Sequence, residues 1–116
     1  MTTNHNLVVL HGTVSGDIID RQLPSGSVAV QFDVRTEIGT SAASVNVSWI
    51  DPSADDRSAL APGDAFVVIG SVQRRFFRVG GATQSRTEVL ASKVIPARRT
   101  RSVRSAVAAA TRSLGD

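Results

Sequence analysis

The sequence predicts an all-β domain: a five-stranded barrel with one short helix between strands three and four, and a long hairpin formed by strands four and five. Three observations carry this. Residues 27–36 and 44–50 alternate apolar and polar side chains with the period of two of half-buried strands. The stretch from Gly63 to Val94 reads as two long strands around a Gly80-Gly81 turn. Only the segment from Asp51 to Ala61 loses the strand pattern. With 116 residues the chain is long enough for one compact core and too short for two ordinary domains.

Leu7 to Val14 is a leucine and β-branched run that closes at Gly16, hence a first strand. Gly12 inside it predicts a bulge or sharp bend, of the kind that curls a small sheet into a barrel. Asp17 to Gln22 is expected to continue it as a bent strand, and Leu23-Pro24-Ser25-Gly26 is a turn. Val28, Val30, Phe32 and Val34 then alternate with Ala29, Gln31, Asp33 and Arg35, which puts Arg35 on the wet face of strand two. A loop over Glu37–Ala42, containing Gly39, leads to strand three, where Val45, Val47 and Trp49 alternate with Asn46, Ser48 and Ile50. Ser53 followed by Asp56 is a loose capping box, and Pro62-Gly63 stops what should be a helix of about two turns.

The fourth strand changes character along its length. Phe66 to Gly70 is nearly continuous apolar, as in a strand buried on both faces, while Gln73 to Arg78 carries three arginines and two adjacent phenylalanines. Guanidinium groups interleaved with exposed rings suit a flexible polyanion with stackable faces, and single-stranded nucleic acid is the leading candidate.

The net charge of +3 is unevenly placed: residues 1–97 carry −1 and residues 98–116 carry +4. Twelve of the thirteen basic residues are arginine, which favours planar phosphate contacts, although a codon bias gives the same count. No apolar run approaches the roughly 20 residues of a membrane helix. Met1 to Asn6 is not a basic segment leading into an apolar run, so no secretory signal is expected, and a cytoplasmic location follows by default. The absence of cysteine excludes disulfides and thiolate metal sites. His5 and His11 lack partners at metal spacing, and Asp51, Asp55 and Asp56 are explained by a helix start without a magnesium ion. No phosphate-binding loop, nucleophile elbow or dinucleotide fingerprint occurs. Neither an enzyme nor a bound cofactor or metal is expected.

Five short strands with a helix between the third and fourth are the element order of the OB-fold. The chain also resembles the bacterial single-stranded DNA-binding proteins over about residues 6–96. The resemblance rests on Leu7-Val8-Val9-Leu10-His11-Gly12-Thr13-Val14, on the turn and second strand from Leu23 to Thr36, on Gly63-Asp64 through Phe77, and on Thr87-Glu88-Val89. It implies sequence-tolerant binding of single-stranded DNA in replication, recombination or repair, by aromatic stacking and arginine–phosphate contacts. It also implies a homotetramer, with a dimer as runner-up. Carried over by position, Phe77 falls at a stacking aromatic and Arg75 at a basic contact; Arg74, Arg78 and Arg86 share that hairpin, and Arg35 lies beside a second stacking region whose usual aromatic is missing.

Trp49 stays open between a stacking role and the core, because a shift of one residue reverses its side. The division expected is an OB-fold DNA-binding domain over 1–97 and a basic Ala/Arg-rich tail over 98–116. That tail departs from the family's acidic tip, so the usual partners of the tip are not expected. It is expected as a disordered extension or, alternatively, as a helix with Val103, Val107, Ala110 and Leu114 on one side. The alternative function is an OB-fold oligomerisation or protein-interaction module with weak or no DNA binding.

Overall fold

In the computed structural model, which describes residues 4–115, five strands close into a barrel. They are β1 (Val8–Gln22), β2 (Val28–Ile38), β3 (Ser41–Ile50), β4 (Ala65–Val79) and β5 (Ala82–Pro96), in the spatial order β1-β2-β3-β5-β4. The helix α1 (Ala54–Ala59) joins β3 to β4, and α2 (Thr100–Thr111) follows β5. All strand pairs are antiparallel except β3 with β5, the Greek-key crossover. This is an OB-fold. Met1, Thr2 and Thr3, part of the segment searched for a signal, and the last tail residue, Asp116, lie outside the described residues.

The inward residues of the alternating strands meet in one core: Val30, Phe32 and Val34 from β2, Val47 and Trp49 from β3, Phe66 and Val68 from β4. Val89, Ala91 and Val94 of β5 all reach it. Their spacings of two and three are reconciled by a register shift at Ile69/Gly70, where Ser92 stands unpaired and its hydroxyl donates to the Ile69 carbonyl at 3.0 Å.

Gly12 does not mark the bend of β1. The register shift falls between Ser15 and Ile19, where Gly16 has φ of +72°. Gly12 instead lets β2 approach, since a Cβ there would collide with the Arg35 carbonyl and the Val34 side chain. The loop expected over Glu37–Ala42 is shorter than its composition suggests: the β2–β3 ladder runs out to Ile38↔Ser41, leaving a two-residue turn with Gly39 at φ of +60°. The Gly80-Gly81 turn is equally tight, with both glycines at positive φ.

The capping signal of α1 is realised, with the Ser53 hydroxyl accepting from the Asp56 N–H at 3.1 Å. Arg57 of that helix makes a bidentate pair with Asp20 at 2.9 and 3.0 Å, tying α1 to the bent half of β1. Asp51 adopts φ of +47°, and its carboxylate accepts from the Val28 N–H at 2.8 Å while its own N–H donates to the Val28 carbonyl at 2.8 Å. The aspartates considered for a metal therefore cap a strand (Asp51) and occupy the first turn of a helix (Asp55, Asp56).

The tail is a helix, not the disordered extension. Ala106 of α2 is buried, and Val103, Val107 and Ala110 pack beside it on Leu7, Val67, Ile69 and Ile95. Val67 and Ile69 point out of the barrel, opposite in phase to Phe66 and Val68, so β4 is apolar on both faces here because α2 supplies its second cover. Leu114, expected on the same stripe, lies in the 3-10 turn Arg112–Gly115 and is exposed.

Candidate nucleic-acid interface

β4 parts from β1 after Gly70, and beyond Val72↔Val89, the last position at which β5 pairs with β3, the β4–β5 ladder leaves the barrel as an arm that continues to Val79↔Ala82. Residues 65–96 carry Arg74, Arg75, Arg78, Arg86 and Lys93 against a single acid, Glu88. Alternation sorts the arm into two faces. Gln73, Arg75 and Phe77 pair with Glu88, Arg86 and Gln84 on one; Arg74, Phe76 and Arg78 pair with Thr87, Ser85 and Thr83 on the other.

The first face borders an open groove. Arg75, Arg86 and Glu88 line it from the arm, Gln31, Asp33 and Asn46 from β2 and β3, and Asp17, Ile19 and Arg21 from the bent half of β1. The groove continues along β2 and β3 past Ala29, Ser48 and Ile50, with Arg21, Gln31, Gln73, Arg75 and Glu88 common to it or beside it.

Arg75 and Arg86 stand directly opposite each other across the ladder. Like charges in that position repel. Glu88, two residues along the same face, does not neutralise them by an ion pair: it is 5% exposed and accepts from the Gln73 amide at 3.0 Å. Among the described residues the only ion pair is Arg57 with Asp20, so the arm's four arginines have no carboxylate within 4 Å. The Arg86 guanidinium lies 5.7 Å from the centroid of the Phe77 ring, which leaves an aromatic face and two guanidinium groups side by side.

Asp17, Asp33 and Glu88 line the groove together with Arg21, Arg75 and Arg86, so that acidic and basic side chains alternate around it.

The seven residues singled out in the sequence separate. Arg75, Arg86 and Phe77 come together. Arg35 is exposed on the outer face of β2, two residues beyond Asp33 and outside the groove lining. Arg74 and Arg78 are exposed on the opposite face of the arm, where they flank Phe76. Trp49 is a correction: it is 5% exposed, paired with Val30 and Ala91 and packed in the core, so it offers no ring to a base. Its side is set by the unbroken β2–β3 register from Ile38↔Ser41 to Ala29↔Ile50, which holds Trp49 in phase with Val45 and Val47.

Four further residues belong to the arm and the groove and are not among those seven. Phe76 is 67% exposed and is the most open aromatic ring, yet adjacent phenylalanines in a strand must face opposite ways, and that signal was present. Gln31 and Asn46 were legible as outward positions but carry no charge to mark them. Arg21 reaches the groove only through the β1–β2 pairing.

The fold is shared with a solved structure, the Plasmodium falciparum SSB complex with ssDNA: TM-score 0.68, 18% sequence identity, with 83% of this chain and 97% of that chain covered. At that identity the likeness shows the fold. No family model matches the sequence, and no curated protein matches it.

Proposed function

We propose that this chain binds single-stranded DNA with little sequence preference, without catalysis, through the groove between the arm and the outer face of β1, β2 and β3. The observation that carries this is the Arg75–Arg86 pair: two guanidiniums held opposite each other, unpaired by acid and next to the Phe77 ring. Such an arrangement costs the fold and gains when a phosphate bridges it. Phe77 supplies a stacking face that every base can use, which makes binding tolerant of sequence. The solved complex of similar fold contains ssDNA, which supports the same ligand here.

Roles in replication, recombination or repair belong to this proposal, as does the homotetramer with the dimer as runner-up. Self-association is supported by β1, whose pairing with β2 starts at Thr13, so Val8–Gly12 pairs with β4 on one edge and with no described strand on the other. Light scattering at micromolar concentration tests the assembly, and a stable monomer refutes it.

The deciding experiment is a salt titration of oligo(dT) binding. Saturable binding that weakens linearly in log salt is expected, with Arg75→Ala lowering the slope by about 0.7 for one lost phosphate contact. No binding at low salt refutes the proposal and favours an interaction module.

A further inference from the structure

We propose that the solvent face of α2 is a second phosphate-contact surface, which extends the nucleic-acid track from the groove onto the C-terminal helix. This rests on the proposal that the groove holds single-stranded DNA.

The helix divides its residues cleanly. Val103, Ala106, Val107 and Ala110 bind it to the barrel, and Arg101 and Arg104 are exposed on the remaining side, with Arg112 exposed in the turn that follows. These three arginines make no ion pair among the described residues and span about 16 Å along the axis. Between them the exposed positions are serine and alanine (Ser102, Ser105, Ala108, Ala109), so no bulky side chain keeps a polyanion away.

The arginines do not serve the helix itself. Arg99 is its N-cap residue without a side-chain capping bond, Arg101 sits in its first turn, and no acidic residue accompanies them there. Cations at that end oppose the helix dipole. Asp56 lines, with Lys93 and Arg99, the hollow between α2 and β5, and forms an ion pair with neither. The cluster keeps its charge for something outside the fold.

The two surfaces lie along one face of β4. On β4, Val67 and Ile69 lie under α2, and the same outward face carries Ser71, then Gln73 and Arg75 at the groove, with Phe77 beyond them on the arm. From Ile69 to Arg75 is six residues, about 20 Å of strand. A shallow depression lined by Ile69, Gly70, Ser71, Leu90 and Ala110 occupies the start of this interval beside the C-terminal end of α2, where Arg112 follows, and ends two residues short of Gln73. The helix presents no aromatic ring, so it contacts phosphate and leaves bases unread.

The test uses the full chain with the triple substitution Arg101→Gln, Arg104→Gln and Arg112→Gln. All three sites are exposed, and Gln retains helix propensity close to that of Arg. Binding is measured across a salt series for oligo(dT) of about 8 and about 30 nucleotides, the first within and the second beyond the ~4–16 that one OB-fold covers.

The short oligonucleotide should bind the variant and the unaltered protein alike. For the long one the slope of log affinity against log salt should fall by about 2, from three contacts at ~0.7 each, so that the unaltered protein loses about 16-fold more affinity than the variant between 50 and 200 mM salt. The variant with Arg101→Lys, Arg104→Lys and Arg112→Lys should keep the steeper slope, because point charge suffices for phosphate. An unchanged long-oligonucleotide slope in a folded Gln variant, or an equal loss for both lengths, overturns the proposal. Failure of the unaltered protein to bind either length overturns the groove assignment and this one with it.

Discussion

Trp49 offers the sharpest single test of how the barrel is built. It is the only tryptophan, so its fluorescence reports one site. At 5% exposure nearly all of its side chain is removed from water, and a buried tryptophan withdraws ~200 Å², worth about 5 kcal/mol at ~25 cal/mol per Å². Alanine keeps the Cβ and lets neighbours relax a little, so Trp49→Ala should cost about 3–5 kcal/mol. That is a large share of the roughly 6–17 kcal/mol that a chain of this length holds, and Trp49→Phe should be milder. The assay is urea unfolding followed by circular dichroism. In the unaltered protein, Trp49 emission should resist an aqueous quencher and change little when oligo(dT) saturates the groove. A Trp49→Ala protein that stays within about 0.5 kcal/mol of the original stability and loses DNA affinity would refute the core placement and restore Trp49 as a stacking platform.

Phe77→Ala should weaken oligo(dT) binding by about 1–3 kcal/mol with little loss of stability, and unchanged affinity in a folded protein removes Phe77 from the site. Gly12→Ala drives a Cβ into the Arg35 carbonyl, so its chemical-denaturation midpoint should fall by the equivalent of about 1–3 kcal/mol; an unchanged midpoint would refute the close approach of β2 at this glycine. Truncation after Ala97 uncovers Val67, Ile69 and Ile95, and should lower stability by about 2–4 kcal/mol and raise binding of an apolar dye; equal stability would mean that α2 is not part of the fold. Two carboxyls lie below their ordinary values: Asp20 through the hydrogen bond from Arg57, and Asp51 through the backbone N–H of Val28 and then the bond to Ser27. Depressed carboxyl pKa values give stability that is full above the unfolded value of about 4 and is lost as pH falls through the folded ones. The Asp20→Ala, Asp51→Ala double variant should therefore show a flatter thermal midpoint below pH ~4 than the original, and parallel curves would refute both contacts.

Local chemistry alone determined much of this protein. The alternation of β2, the two glycines at the tip of the arm, the Ser53 cap and the change of β4 from apolar to arginine-rich were legible because each depends on neighbours within a few residues. So were Arg75 and Phe77 as one face, since a strand repeats every second residue. Other features depend on partners far along the chain. Trp49 takes its side from ten paired residues of β2 and β3, and Gly12 takes its reason from a carbonyl of the neighbouring strand. The groove needs Arg21, Gln31 and Asn46 brought beside Arg75 by the pairings β1–β2, β2–β3, β3–β5 and β5–β4. The tail shows the difference most clearly. Its stripe of Val103, Val107 and Ala110 is visible in sequence, yet twelve residues are too few to hold a helix alone in water. Only the outward apolar face of Val67 and Ile69, which local pattern cannot tell from an ordinary buried strand, gives α2 something to fold against.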